Sequence, residues 1–587
     1  MSDDVLRIAN CSGFYGDRLS AAREMVEGGP IDVLTGDYLA ELTLMILFRD
    51  RLKNPGAGYA RTFLRQMEEV LGTCLDRGIK VVVNAGGLNP AGLAAELAKL
   101  TARLGVEARV AHVEGDDLLA RLPELQARGV ELRHLDRGMP LASLEAQVVT
   151  ANAYLGGWGI VEALGRGADV VICPRVTDAA LTLGPAAWKF GCARDDWDKL
   201  AAGIVAGHII ECGAQCTGGN YSFFEEVPDI ARIGFPIAEM HRDGSFVITK
   251  HPGSGGLVSV GTVTAQLLYE IQGARYLNPD ATARFDSIRL VQEGPDRVRV
   301  TGVRGEPPPT TTKVCINYLA GYRNSVTFVL CGLDIETKAR TVEETLWRLV
   351  GGRERFAETT VQLQRADRPD PRSNEEAFAY LRVTVKDPDA TKVGRAFSNK
   401  AIEMALASYP GFFVTSPPTD ASPYGVYWPA LVPSELVEHR VVIGGETIAV
   451  PPVRPPSGGP EAVVPAVAVP AAPGGPVERV PLGTLCGARS GDKGGNANVG
   501  VWVGTPAAYA WLEQYLTIDR FKQLVPEAAS LVVERYAFPN LLSLNFVVNG
   551  LLGEGVASST RSDPQAKSLG EYLRARVVDV PRALLAT

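Results

Sequence analysis

Between residues 451 and 478 the chain carries nine prolines in 28 positions, and most of the others are Ala, Val or Gly. Proline fixes φ and lacks the backbone N–H, so neither a helix nor a central strand runs through such a stretch. The segment is either an extended spacer at ~3 Å per residue or ordered coil laid over the body. In both cases it divides the 587 residues into a long N-terminal part and a short C-terminal part, and a chain of this length exceeds what one core supports.

The N-terminal part reads as a parallel sheet. Residues 5–10 (VLRIAN), 31–35 (IDVLT), 79–84 (IKVVVN), 106–113 (VEARVAHV) and 168–174 (ADVVICP) are short apolar runs separated by amphipathic helical stretches. Continuous apolar strands alternating with helices indicate an α/β sheet covered on both faces. The spacing predicts helices from near Asp17 and near Asp37. From about residue 325 the pattern becomes strand, helix, strand, strand, helix, strand, ending near 415, which is the split ferredoxin-like order. After the proline-rich segment the same order is predicted again, with strands near 496–503, 530–537, 541–548 and 576–580. The expected organisation is therefore an α/β body at 1–320, a ferredoxin-like α+β part at 321–450, the linker at 451–478 and a ferredoxin-like module at 479–587.

Formal net charge is -8, and nucleic-acid binding requires a dense basic face, so no nucleic-acid partner is expected. No apolar run approaches the roughly 20 residues of a membrane span, and MSDDVLRIAN has no basic-then-apolar signal pattern. Nine scattered cysteines without CxxC suggest reduced thiols in a cytoplasmic protein. Neither a tightly bound cofactor nor a metal is expected. A homo-oligomer is, because ferredoxin-like sheets often pair through an open face or edge.

The residues that could carry chemistry lie where strands end. In parallel α/β sheets ligands sit beyond the carboxyl ends of strands, beside helix N-termini. Three turns occupy such places: Asn10-Cys11-Ser12-Gly13 with Asp17, Thr35-Gly36-Asp37, and Asn84-Ala85-Gly86-Gly87 with Asn89. Their glycines allow close backbone approach, and free N–H groups favour an anion. Arg175 and Asp178 follow the strand ending at Cys173 and suit a carboxylate or phosphate; an ion pair pinning the loop is the alternative. His208, Cys212 and Cys216 fall four apart and predict one helix face bearing an acid, base or thiol, though a fourth metal ligand is missing. The His251–Gly256 loop, with Gly253 and Ser254, can bind an anion through its backbone or be a plain hairpin. The densest feature is Ala488-Arg489-Ser490-Gly491-Asp492-Lys493-Gly494-Gly495-Asn496-Ala497-Asn498. A plain turn needs one glycine; here Arg489 and Lys493 can neutralise an anion, with Ser490, Asp492, Gly494 and Asn496 around them. A lysine of depressed pKa there could exchange protons.

Taken in order, CSGFYGDR, LTGDYLAE, NAGGLNP, PRVTDAAL, GHIIECGAQCTGG and HPGSGG resemble blocks of the acyclic terpene utilisation AtuA family. ARSGDKGGNANVG resembles the ferredoxin-like module that follows the main domain in that family. The resemblance covers nearly the whole chain. It implies breakdown of branched acids as coenzyme A thioesters, one proposed role being cleavage of a 3-hydroxy-3-isohexenylglutaryl-CoA-like compound to release an acetyl unit.

The expected activity is therefore that of a lyase or hydratase acting on a branched acyl-CoA or related carboxylate. Arg175, Arg489 and Lys493 would hold anionic groups, Asp17, Asp37, Asp178 or His208 would move protons, and the Asn-Gly turns would polarise a carbonyl. Two other classes compete: a non-catalytic ligand-binding or scaffolding subunit, and a hydrolase using Cys212 or Ser12. No G-x-S-x-G elbow supports the serine. If Asp492 and Lys493 fold against the turns at 12–17, 84–89 and 175–178, one composite site follows.

Overall fold

The computed structural model describes residues 5–453 and 461–585; the first four residues, the 454–460 part of the proline-rich segment and the last two residues lie outside them. Five parallel strands form the centre of the body: β1 (Val5–Asn10), β2 (Val33–Gly36), β3 (Lys80–Val83), β4 (Val110–Glu114) and, after the antiparallel strand β5 (Val148–Ala153), β6 (Val170–Ile172). They lie in the order β1-β2-β3-β6-β4. Antiparallel strands extend the sheet at both ends to eleven: β7 (Pro236–His241) and β8 (Phe246–Lys250) lead the extension beside β1, and Arg440–Ile443 pairs with β4. One face packs helices Ala21–Glu27, Arg61–Arg77 and Pro90–Leu104 through Met25, Phe63, Met67 and Leu97. The other packs Trp158–Gly165, Ala180–Phe190 and Trp197–Ile210 through Ile160, Leu183 and Ile204. This is the expected parallel sheet with helices on both faces.

Local chemistry sets the helix ends. Asn89 caps the helix Pro90–Leu104, its side chain accepting the Gly92 N–H at 2.9 Å. Pro90 fills the first turn, where no N–H partner is needed, and Gly105 closes the helix at φ 68°. Two helices begin later than predicted, at Ala21 and Glu41, because Asp17 and Asp37 spend their carboxylates on the preceding turns.

The 21-residue strand Thr311–Cys331 ties the body to the next layer. Its first half pairs with Ser422–Pro433 and with β5; its second half pairs with Phe378–Asp387 and Phe413–Val414. A register shift between Leu319 and Gly321, with Gly321 at φ 142°, lets one strand serve both. The strand order Glu358–Arg365, Phe378–Asp387, Thr311–Cys331, Phe413–Val414, with helices Ile335–Val350 and Arg395–Glu403 on one face, is the expected ferredoxin-like arrangement.

The C-terminal part refines its predicted topology. Its four-stranded sheet runs Gly487–Lys493, Asn496–Trp502, Ser543–Val548, Val533–Phe538. The last strand, Val577–Pro581, pairs instead with Val477–Pro481. The segment expected as a loop around Lys493 is a β-hairpin: Gly487–Lys493 pairs residue for residue with Asn496–Trp502, and Gly494 turns the corner at φ 65°. Two-residue hairpin turns require positive φ, which Gly494 supplies without strain. Gly, Asp and Asn are poor strand formers, so local propensity read this hairpin as loop; contacts with the body override it. Trp502, Phe538 and Leu541 join the same core as β1 and β8, so the module is packed onto its own chain. The described part of the linker also lies on the body: Arg275 pairs with Glu461 at 2.7 Å, and the Ala462 N–H donates to Glu306 at 3.1 Å.

Among the described residues no helix is long and apolar enough to cross a membrane, no group of three or more His, Cys, Asp or Glu could hold a metal, and the nine cysteines are unpaired.

Candidate functional site

The strand-end turns meet one another, and Lys493 of the hairpin feels the charges of Glu41 and Glu211 beside them. Asp37 ends β2 as a buried carboxyl, its Oδ1 accepting the Leu39 N–H at 3.0 Å and the Asn84 amide at 2.5 Å. Asn84, ending β3, accepts the Tyr38 N–H at 2.7 Å, so two adjacent strand ends are clamped through side chains. Arg175 follows β6 and is 2% exposed. Its guanidinium lies 4.2 Å over the Tyr154 ring and donates to Asp178 at 2.7 Å. Its backbone N–H donates to Asp116 at 3.3 Å, and the Asn152 amide donates to the same oxygen at 2.7 Å.

Around this frame stand groups that sequence reasoning missed. Glu41 accepts the Tyr154 hydroxyl at 2.5 Å and lies 3.6 Å from Lys313, which comes from the long strand. Glu211 caps the helix that carries His208, and Glu270 lies on the loop after Leu268. Lys493 donates to the Glu270 carbonyl at 3.0 Å. Glu41 (33%), Asp178 (30%), Glu270 (39%) and Lys313 (37%) keep about a third of each side chain free. Yet loss of hydration is the leading influence on Glu41, Glu270, Asp492 and Lys493. Asp178, Glu270 and Lys493 act on Glu211, and Glu41, Lys313 and Glu270 act on Lys493 and Asp492, so these largely desolvated groups share one space, the chamber.

The electrostatics of that chamber are unusual. Burial and the neighbouring Asp178 hold Asp37 well above the ordinary carboxyl value, against Arg175 and the Asn84 amide. Burial, Asp178 and Glu270 do the same to Glu211. Burial with Glu270 and Glu41 lifts Asp492 to about 8, and burial lifts Asp116 to about 7. Burial also raises Glu41, but Lys313, Arg175 and the Tyr154 hydroxyl outweigh it and bring that carboxyl down to about 2. Burial and Lys313 bring Lys493 down to about 8. The chamber thus holds fixed cations, one fixed carboxylate and several groups that exchange protons near neutral pH.

Other expected site residues have structural roles. Asp17 accepts the Gly13 N–H at 2.7 Å and the Arg18 N–H at 2.7 Å. The Ser12 hydroxyl donates to the Phe14 carbonyl at 3.0 Å. Gly13 packs directly on the Cys212–Gly213 backbone, where a Cβ would lie 2.5 Å from the Cys212 carbonyl carbon. Gly86 abuts the Cys173 carbonyl oxygen in the same way, at 2.7 Å, and Gly87 turns at φ 52°. Asn89 is a helix cap, as above. The predicted His208–Cys212–Cys216 face is corrected: the helix ends at Ile210, glycine turns follow, and the two cysteines do not share a face with the histidine. His208 is buried beside Tyr276 and Phe285, 3.4 Å from Glu211, and burial lowers it to about 4, leaving a neutral imidazole. Cys212 adjoins the chamber, but burial, Glu211 and Glu270 push its thiol far up, so it is not a thiolate.

The His251–Gly256 loop lies two strands outward from β1. His251 Nε2 bonds the Met25 carbonyl at 2.9 Å, Ser254 donates to the His251 carbonyl at 2.7 Å, and Gly255 packs on Asp229 and Arg232. Gly253 faces open space at φ 79°. This loop's contacts are with these neighbours, outside the chamber frame.

Of the hairpin residues, Asp492 and Lys493 line the chamber. Arg489 lies 4.3 Å over the Tyr269 ring and also bonds Gln215. Ser490 accepts the Gly570 N–H at 2.8 Å, Asn496 donates to Asp136 at 2.8 Å, and the Gly494 tip rests near Tyr427. The missed Glu41 and Glu211 fall inside LTGDYLAE and GHIIECG, the motif blocks quoted above. Lys313, Tyr154 and Glu270 stand in no motif that sequence alone would single out.

A family model described as acyclic terpene utilisation family protein AtuA matches residues 6–443, and one for the AtuA ferredoxin-like domain matches residues 480–579. No curated protein and no solved structure matches the chain.

Proposed function

The chain belongs to the acyclic terpene utilisation AtuA family, and on that premise we propose that it is a lyase or hydratase acting on a branched acyl-coenzyme A thioester or a related carboxylate. One observation carries the reading: carboxyls raised by burial, Asp37 and Asp492 among them, are interleaved with Arg175, Lys313 and Lys493 in one chamber. Adding or removing water, or breaking a bond next to a carbonyl, needs a group that takes a proton, a group that gives one, and a cation facing the oxygen that gathers charge. In this reading Arg175 and Lys493 face the anionic or carbonyl oxygens. Asp37 and Asp178, on either side of Arg175, exchange protons with the substrate.

The hydrolase alternative lacks an activated nucleophile. The Ser12 hydroxyl is committed to the Phe14 carbonyl, and Cys212 is held as a thiol. The binding-subunit alternative leaves the raised carboxyls without a task, since an anion-binding protein gains nothing from several buried acids beside its cations.

The test is incubation of purified protein with a panel of branched 3-hydroxyacyl-CoA and enoyl-CoA esters, read by mass spectrometry. Interconversion or cleavage of a panel member supports the reading. Tight binding without turnover across the panel would sink it in favour of the binding subunit.

A further inference from the structure

Glu270 is the only chamber residue named above that combines a side chain with a left-handed backbone, at φ 57°. That conformation is costly for a residue with a Cβ, and non-glycine residues in it cluster where a structure over-determines them for function. Here the C-terminal module does the over-determining. Asn498 accepts the Glu270 N–H at 2.8 Å and donates to the Leu268 carbonyl at 3.0 Å. Asn545 donates to the Ile271 and Gln272 carbonyls at 3.3 and 2.7 Å, and Lys493 donates to the Glu270 carbonyl at 3.0 Å. Arg489 and Lys567 stack on the Tyr269 ring at 4.3 and 4.5 Å. The strained loop is thus gripped residue by residue from Leu268 to Gln272 by groups more than 220 positions away.

We propose that Glu270 is the chamber's proton-shuttling carboxylate, and that Asn498 and Asn545 of the C-terminal module are positioning residues that hold it in its left-handed turn. The inference rests on the enzymatic reading above and adds a residue to it. The step balances without another reactant: the carboxylate accepts one proton from a substrate C–H or O–H, becomes a carboxylic acid, and returns one proton to the product. Burial and Glu41 lift the group to about 7 against the pull of Lys493, the range in which such exchange is fastest. From the body Glu41, Asp178, Glu211 and His208 face it; from the module Lys493, Asp492, Arg489 and Lys567 do.

The experiment uses the full-length chain and three variants, Glu270→Gln, Glu270→Gly and Asn545→Ser. Infrared difference spectra between pH 6 and pH 8 follow the protonated-carboxyl band, thermal melts follow stability, and the branched acyl-CoA panel follows turnover. The expected results are a wild-type carboxyl signal to which Asp116 and Asp492 also contribute and from which Glu270→Gln removes one component, and a Glu270→Gly melt equal to or above wild type, since glycine adopts positive φ freely. Glu270→Gln should lose at least 100-fold in turnover, and Asn545→Ser should shift the midpoint of the carboxyl signal while the fold holds. Unchanged infrared spectra in Glu270→Gln would overturn the proposal, as would wild-type turnover in that variant. A panel that wild type does not turn over counts against the enzymatic reading alone, because the infrared and melting measurements still decide the role of Glu270.

Discussion

The ammonium of Lys493 donates a hydrogen bond of 3.0 Å to the main-chain carbonyl of Glu270, across 223 positions of sequence. The bond joins the tip of the C-terminal hairpin to the strained loop of the body, and it makes one chamber from two parts of the chain that the proline-rich segment separates.

Lys493 therefore combines a chemical and a mechanical task. Replacing it with Met keeps the length of the side chain and removes the charge. Its ammonium is lowered from 10.5 to about 8 by burial and Lys313, so the folded state disfavours the charged form. Lys493→Met should lose at least 100-fold in turnover on the acyl-CoA panel. Retained turnover would remove the hairpin from the mechanism.

Arg175 offers the opposite case. Its guanidinium is buried against Tyr154 and bonded to Asp178, so Arg175→Met leaves Asp178 without its bonded countercharge and Glu41 with Lys313 alone of the two cations that act on it. Breaking a buried pair from one side costs about 3–5 kcal/mol. Calorimetry should show a clear drop in melting temperature. Arg175→Lys should fall between, because an ammonium keeps the charge and loses the planar stack.

Gly13→Ala tests the packing of two turns. The added Cβ would sit 2.5 Å from the Cys212 carbonyl carbon, and backbone on both sides leaves no flexible group to yield. Overpacking of this kind costs about 1–3 kcal/mol, and it should also displace Glu211 and weaken ligand binding. A melt identical to wild type would show that the two turns do not touch.

The pH dependence of stability has a sign that follows from Asp116. Burial raises its carboxyl from 3.8 to about 7. Between those values the folded state holds a proton that the unfolded chain releases, so this group's contribution to stability falls as pH rises and is fully unfavourable above about 7. Asp116→Asn, which cannot ionise, should gain melting temperature relative to wild type at pH 8 and much less at pH 4. Melts across that range check it.

Trp502, Phe538 and Leu541 belong to the core of the main body, so a chain ending at residue 453 would expose that surface and lose the grip on residues 268–272. It should bind hydrophobic dye and melt without a cooperative transition. A truncated chain that melts as wild type does would show the module to be an appendage.

Much of this was legible in sequence. Apolar runs such as VLRIAN and KVVVN announce buried strands because a parallel strand is covered on both faces. Asn89-Pro90 announces a helix start because an N-cap and a proline at the first turn satisfy the same unpaired N–H groups. Asp37 and Lys493 stand out as charged groups beside glycines at strand ends, and Arg175 and Asp178 as a charge pair following the strand that ends at Cys173. The hairpin around Lys493 reads as loop from sequence because its small polar residues have low strand propensity, and only the partner surface of the body compensates. The spacing of His208, Cys212 and Cys216 predicts one helix face, but the helix ends at Ile210 and Gly213 turns the chain at φ 60°.

Sequence alone determined the parallel strands, the helices that cover them and the chemistry available at each turn, because these depend on residues near one another along the chain. Tertiary structure decided which charges share a chamber. Glu41, Lys313, Glu270 and Lys493 come from four distant segments, and of these only Lys493 is singled out by its local sequence. The altered protonation of Glu41, Glu270 and Lys493 arises from lost water and from neighbouring charges, and both exist only once packing has brought the groups together.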